Sequence, residues 1–179
     1  MPISIEFDID PPLERLKYWI EHIEREVIND LSDFWDGWAR KIVVEETARI
    51  FATEGYGLWS PLSTRYKLRK STLYPGRTML RARDVYFRAS TRKGYKGNLF
   101  ESLPSEMTWG VDPNYFQGLT GFPYPAALET GAYAGKANLP PRPVWALLAV
   151  STQLHQNLVK GLNDYLHKKI KDETKKVFR

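Results

Sequence analysis

Apolar and polar side chains alternate at the start of the chain. The apolar members of this alternation are Ile3, Ile5, Phe7 and Ile9. A period of two places them on one face of an extended segment. The pattern predicts a half-buried first β-strand, which precedes Asp10.

Two later segments repeat apolar side chains at spacings of three and four, the period of an amphipathic helix. The first follows Asp10-Pro11-Pro12, a combination typical of a helix start. Its apolar positions are Leu16, Ile20, Ile23, Val27, Leu31, Phe34, Trp38 and Ile42. They predict one long helix, bent near Gly37 and ending before Gly55.

The second segment follows Pro143. Its apolar positions are Leu147, Val150, Leu154, Leu158, Leu162, Tyr165 and Ile170. It predicts another long helix, whose charged end at 171–179 is expected to fray.

The stretch between these helices has weaker signals. Ser63–Ser71 and Asn98–Leu103 are interpreted as short helices, whereas Arg81–Lys96 lacks a clear period. The alternation of Met107, Trp109 and Val111 predicts a second strand that stops at Asp112-Pro113. From 114 to 143 the chain is rich in Gly and Pro, which predicts extended backbone with one short helical turn at Pro125–Thr130.

These elements predict an α+β fold in which two long helices pack on a small antiparallel sheet, with a basic loop or arm. The length of 179 residues is typical of a single domain. Within 1–179 the basic arm is expected at 54–103, the Gly/Pro-rich loop at 113–143 and the frayed tail at 171–179.

Composition excludes several classes of chemistry. The chain contains no cysteine, which rules out disulfides, thiolate-ligated zinc, iron–sulfur clusters and a thiol nucleophile. No apolar run approaches the roughly 20 residues of a membrane span. Met1–Asp10 holds three acids and no base, unlike a signal peptide. We expect a soluble protein that is made inside the cell and has no membrane partner.

Charge is distributed unevenly along the chain. The net charge of +5 conceals about −7 over residues 1–55 and about +9 over residues 56–103. Such a dipolar chain suits an anionic partner or a neighbouring subunit with the opposite charge. Two solvated faces would produce the same pattern.

No enzyme signature stands out. The histidines His22, His155 and His167 lack the spacing of a zinc-binding pair, and the nucleophile-elbow and phosphate-loop motifs are absent from the sequence. The acid pairs Glu45-Glu46 and Asp33/Asp36 are typical of the solvated side of a helix. We therefore expect no catalytic residue, no metal ligand and no cofactor.

Arg142 lies between Pro140-Pro141 and Pro143. Restricted φ angles on both sides would hold its guanidinium donors in a fixed direction, as a binding site requires. The prolines could equally serve only to end an extended loop and to start a helix. Both interpretations stay open at this point.

Nucleic-acid binding is the main chemical alternative. Eleven Lys and Arg residues between 65 and 96 interleave with five aromatic residues. Basic side chains neutralise phosphates and aromatic rings stack on unpaired bases. No motif of a known DNA- or RNA-binding module frames the segment, which would fit an arm on an acidic neighbouring subunit equally well.

Four short motifs occur in a characteristic order. They are Gly57-Leu58-Trp59-Ser60-Pro61-Leu62-Ser63, Lys96-Gly97-Asn98-Leu99-Phe100-Glu101-Ser102-Leu103, Tyr124-Pro125-Ala126-Ala127-Leu128-Glu129-Thr130-Gly131 and Leu139-Pro140-Pro141-Arg142-Pro143-Val144-Trp145. Together they resemble the virion morphogenesis or tail-completion proteins of tailed bacteriophages. Lys96 stands where that family usually has Thr. The likeness runs from about Gly55 to the C-terminal helix.

The resemblance implies a non-enzymatic structural protein of the virion neck or tail, made in the host cytoplasm. Such a protein completes the tail or joins it to the head, as one subunit of a homo-oligomeric ring around the DNA channel. Its partners would be other virion proteins, such as the head connector or the tail tube or terminator, with possible contact to DNA. The expected interface and packing residues are Trp59, Leu62, Arg81, Arg83, Arg88, Arg142 and Trp145.

Overall fold

The computed structural model describes residues 13–81, 83–134 and 137–178. The predicted first strand lies outside these residues. The helices are α1 (Leu13–Ile23), α2 (Arg40–Ala52), α3 (Thr64–Leu73), α4 (Val85–Thr91), α5 (Pro113–Thr120), α6 (Tyr124–Thr130), α7 (Trp145–Ala149) and α8 (Thr152–Val177). The strands are β1 (Asn98–Ser102), β2 (Met107–Val111), β3 (Ala132–Ala134) and β4 (Ala137–Leu139), paired antiparallel as β1–β2 and β3–β4. This mixture of helices and antiparallel strands confirms the α+β class.

The N-terminal helical region is divided, whereas the sequence pattern predicted one long helix. After α1 a π-helical turn covers Glu24–Ile28, and a second one covers Phe34–Ala39 before α2 begins. Between them the carboxylate of Asp30 accepts a hydrogen bond from the Ser32 amide at 2.9 Å. This local bond offers the backbone an alternative to helical pairing, which explains the break. The predicted end before Gly55 is correct, since α2 ends at Ala52.

The C-terminal helical region is also divided, because α7 and α8 are separate helices. The Ser151 hydroxyl accepts a hydrogen bond from the Leu154 amide at 3.1 Å and caps α8. Val150, which the pattern placed on the apolar face, is instead 72% exposed at this break. The helix continues through 171–177, where fraying was expected.

The central region contains both correct and wrong predictions. Helix α3 and strand β2 lie where the pattern placed them, and Ser63 caps α3. The segment Asn98–Leu103 is not a helix, since its residues form β1, in which Phe100 is paired with Trp109. The two rings lie 5.5 Å apart edge to face, a contact made with a residue that is distant in the sequence.

The predicted basic arm is part of the folded body. Within Arg81–Lys96 the chain forms α4, which buries Tyr86 and Ala89 in the main core. Within the predicted Gly/Pro-rich loop, α6 matches the expected helical turn and Gly131 follows its end. Helix α5 and the β3–β4 hairpin were not predicted there.

The core has two parts. The main cluster joins α2, α4, α6 and α7, with Ile50, Phe51, Leu128 and Val144 fully buried. A smaller cluster around Phe34 joins the second π-helical turn to α8. The β1–β2 pair packs on α4, Met107 of β2 also packs on the smaller cluster, and α1 and α2 both pack on α8. No helix in the described part of the chain combines membrane-spanning length with the apolar character that a bilayer demands.

Candidate functional site

Trp59 and Arg142 hold two motif segments together. Trp59 is 5% exposed, and its indole NH donates to the Pro143 carbonyl at 3.0 Å. The Nε of Arg142 donates to the carbonyl of Ser60, the residue after Trp59, at 3.2 Å. These two bonds, which span 84 and 82 residues, connect the start of the basic region to the proline-rich segment. We call this region the junction.

A third motif segment enters the junction through Glu129, at the end of α6. Its carboxylate accepts hydrogen bonds from the amides of Val144 at 2.8 Å, Trp145 at 3.1 Å and Ala146 at 3.2 Å. These are free amides at the start of α7, where a negative charge is favourable. The Arg142 amide also donates to the Leu128 carbonyl, which secures the same pair of segments.

Burial affects the ionisable groups of the junction. Arg142 is 6% exposed, and its burial lowers the pKa of its guanidinium, while nearby Tyr124, Tyr66 and Glu54 act in the opposite direction. Burial raises the pKa of Tyr124 to about 12. The Nε donor of Arg142 is directed at the protein's own backbone, which supports a packing role for this residue. Leu62 and Trp145 are half-buried against the main core beside it.

Asp84 forms ion pairs with two of the basic residues. It is nearly buried, and its carboxylate accepts hydrogen bonds from Nη1 of Arg77 at 2.6 Å and from Nε of Arg81 at 3.0 Å. The guanidinium of Arg81 also lies over the Phe87 ring, 3.9 Å from its centre. Arg81 therefore belongs to an internal ion pair and does not extend from the surface as an arm residue would.

The basic region has two further paired cations, of which Lys70 is buried and Lys93 lies at the surface. The ammonium of Lys70 is buried and donates to the carbonyls of Arg77 and Thr78, the latter at 2.8 Å. Burial lowers the pKa of Lys70. Lys93 forms an ion pair with Asp36 at 2.7 Å. These contacts hold the basic segment against the body of the protein.

Most of the remaining cations lie at the surface, among them Arg65, Lys67 and Arg69 on α3. Arg65 and Arg69 are exposed and form no ion pair with any described residue. Leu68 and Leu73 beside them are also exposed, Leu68 by 65%. We call Arg65, Leu68, Arg69 and Leu73 the basic face. Of the other predicted interface residues, Arg83 is exposed, with its Nε 3.4 Å from the Tyr74 hydroxyl, and Arg88 is half-buried on α4.

An acidic counterpart lies at the N-terminal helix. Ile20 and Ile28 are 57% and 59% exposed, and Glu21 and Glu24 beside them are exposed as well. We call these four residues the acidic face. Its helix is attached to the end of α8, where the Trp19 indole donates to the Thr174 hydroxyl at 3.0 Å.

Glu46 corrects one expectation from the sequence. It was placed on the solvated side of its helix, but it is only 2% exposed. Its carboxylate accepts hydrogen bonds from the Tyr56 and Ser151 hydroxyls, the latter at 2.6 Å, and is 3.0 Å from Arg49. Burial, followed by the bond to Glu46, raises the pKa of Tyr56. The cluster joins α2, the following turn and the start of α8.

The described residues form no metal-binding site. No group of three potential ligand side chains occurs among them. His155 and His167 are exposed on α8, while His22 lies 3.0 Å from Glu173.

Comparisons with protein-family models, curated proteins and solved structures found no match to this chain. The resemblance described above therefore rests on the four motifs. Three of them, Gly57–Ser63, Tyr124–Gly131 and Leu139–Trp145, meet at the junction through the hydrogen bonds of Trp59, Arg142 and Glu129. The fourth motif forms β1 and packs on α4.

Proposed function

We propose that this chain is a non-enzymatic structural protein of a tailed phage, which completes the tail or joins it to the head as a subunit of a ring around the DNA channel. The observation that carries the proposal is the junction. Three motifs that are separate in the sequence meet there in one packed unit, held by Trp59, Arg142 and Glu129. Motifs that build a common unit are a stronger basis for a family resemblance than motifs scattered over a fold.

The chemistry of the junction favours a structural role. The indole of Trp59, the Nε of Arg142 and the carboxylate of Glu129 all bind backbone groups of the same chain. Such bonds fix loops and helix ends in place. The junction lies just before α3 in the chain, and the exposed arginines of α3 are typical of protein interfaces.

Electron microscopy of particles made without the protein tests this function. Disruption of the gene in its parent phage is expected to yield separate filled heads and tails, or tails with an abnormal end. Supplying the wild-type chain from a plasmid should restore joined, infectious particles. Normal particles in the absence of the chain would contradict the proposal.

Nucleic-acid binding by segment 65–96 is the second candidate. Arg65, Lys67 and Arg69 of α3 support it, because they are exposed and unpaired among the described residues. Lys70, Arg77, Arg81 and Lys93 are already bound to other groups of the same chain. Phosphate binding would weaken steeply and log-linearly with salt, whereas a subunit interface with an apolar centre would be less sensitive. Titration of a DNA duplex at several salt concentrations separates the two.

A further inference from the structure

We propose that the acidic face of one copy of this chain docks on the basic face of a second copy, so that subunits associate head to tail. The inference rests on the proposed function for its place in the virion, but the contact itself is a property of the chain. Among the described residues, the basic face has no ion-pair partner in the same molecule, and the acidic face has one exposed pair, in which Glu21 lies 4.0 Å from Lys17.

The two faces match in chemistry. The acidic face offers Ile20 and Ile28 with Glu21 and Glu24, and the basic face offers Leu68 and Leu73 with Arg65 and Arg69. Each face therefore has two aliphatic side chains and two like charges, with opposite signs on the two faces. Opposite potentials favour this pairing, while like charges disfavour pairing of either face with itself.

Buried residues fix which way each helix faces. On α3 the buried Lys70 defines the inner side, and Arg65, Leu68 and Thr72 lie on the opposite side at helical spacing. On the N-terminal helix Ile23 and Val27 are buried against the body. The packing of the helices therefore presents the acidic face, Arg65 and Leu68 to solvent, while Arg69 and Leu73 lie nearer to the Lys70 side of α3 and are exposed there.

The two faces are attached near opposite ends of α8. The acidic face belongs to the helix attached near Glu173 of α8, through His22. The turn that leads into α3 is attached near Ser151, at the other end of α8, through Tyr56 and Glu46. These points are about 33 Å apart along the helix at 1.5 Å per residue. A contact between the faces therefore joins different copies. Where each copy uses its two faces on two different neighbours, the contact is heterologous and closes into a ring or continues as a filament.

Cysteine cross-linking tests the contact without background, because the chain has no cysteine. Purified Glu24→Cys and Arg69→Cys proteins, one enlarged by a tag, are mixed and oxidised. We expect the mixed disulfide dimer to exceed either homodimer at least fivefold. Gln156→Cys, at an exposed position on α8, serves as the control partner for each variant. Mixed dimer at the level of that control would overturn the proposal.

Charge reversal tests whether the charges direct the contact. With Ile28→Cys and Leu68→Cys as the reporter pair, Glu21→Lys with Glu24→Lys should reduce the mixed dimer at least fivefold. Adding Arg65→Glu with Arg69→Glu in the partner should restore it, which a folding defect would not permit. Cross-linking that is unchanged by reversal, or not restored by the second reversal, would overturn the proposal.

The two proposals fail in different ways. Separate heads and tails in the disrupted phage, combined with control-level cross-linking, would leave the tail-completion function standing and overturn the docking. Specific cross-linking combined with normal particles would support the docking and overturn the function. Cross-linking that is lost when DNA is added would show that the basic face binds phosphate in preference to the acidic face. That result would overturn docking as the role of the basic face in the presence of DNA.

Discussion

Gly55 and Gly57 lie two residues apart in the turn after α2, and both have a positive φ angle, 69° and 79°. They differ in the space around them. A Cβ atom on Gly55 would lie 2.2 Å from Nε1 of Trp59, whereas one on Gly57 would meet nothing within 4 Å. The close approach at Gly55 allows the Trp59 indole to reach the Pro143 carbonyl and form the junction.

Alanine at these two positions separates backbone strain from side-chain overlap. Gly57→Ala should lower the free energy of unfolding by about 1–2 kcal/mol, the cost of a left-handed conformation for a residue with a Cβ. Gly55→Ala should cost about 3 kcal/mol or more, because the same strain is joined by displacement of a buried indole. Urea unfolding of both variants measures the difference. Equal losses would show that the packing of Trp59 against Gly55 contributes nothing to stability.

The sequence identified some residues of the junction and missed others. Arg142 was found because an arginine between prolines is unusual locally, whereas Trp59 was named only through the resemblance carried by the four motifs. Glu129 was not assigned a role, because the amides that it caps begin 15 residues later and come close only when the hairpin folds. Glu46 was misjudged for a similar reason, since its partner Ser151 is 105 residues away.

At the scale of elements, the N-terminal helix is attached to the end of α8 by few polar contacts. Glu173 is central to them. It is nearly buried and accepts hydrogen bonds from Lys176 and His22, at 2.7 and 3.0 Å. Lys176 first, and then His22, lower the pKa of the Glu173 carboxyl. The charged carboxylate is therefore the form that stabilises the folded state.

Replacement of this carboxylate should have a pH-dependent effect. A lowered pKa means that the stabilisation is present above the ordinary pKa of about 4.5 and is lost as the pH falls through the folded-state value. Glu173→Gln should lower the free energy of unfolding by about 1–3 kcal/mol at neutral pH, and the difference from wild type should shrink below about pH 4.5. Thermal unfolding across this range measures it.

The control for this experiment is Asp172→Asn, one residue away. Asp172 is half exposed and 3.7 Å from Lys175, so its replacement should change little at any pH. A pH-independent gap between Glu173→Gln and wild type would contradict a role for the carboxylate charge.

Element types were predictable where the local pattern was long and unambiguous. Strand β2 alternates clearly, and α3 has a serine cap. Asn98–Leu103 was assigned to the wrong class because Leu99, Phe100 and Leu103 also fit a helical spacing. Its strand conformation depends on pairing with β2, such as Phe100 with Trp109, which no local signal reports. Helix α4 was overlooked because its buried Tyr86 and Ala89 are surrounded by basic residues.

At the scale of the whole molecule, the N-terminal helix lies outside the two core clusters. Among the described residues, the first member of either cluster is Leu31, in the smaller one. Ile23 and Val27 are buried, but they contact α8 and its surroundings at one end of the molecule. The fold thus separates a body, which contains the junction and the basic face, from a helix that carries the acidic face.

A chain that lacks residues 1–28 tests this separation. We expect it to remain folded and to unfold in one cooperative transition, because both clusters are retained. Its free energy of unfolding should fall through the lost burial of Ile23 and Val27, by about 1.5–3 kcal/mol for each side chain. Circular dichroism measures whether the truncated chain is folded, and urea unfolding measures its free energy of unfolding.

The truncated chain with Leu68→Cys should still cross-link to full-length Ile28→Cys, because its basic face is intact. Truncated copies should form no head-to-tail series among themselves, because they lack the acidic face. A truncated chain that is unfolded would contradict the separation, because it would show that the body needs the N-terminal helix in order to fold.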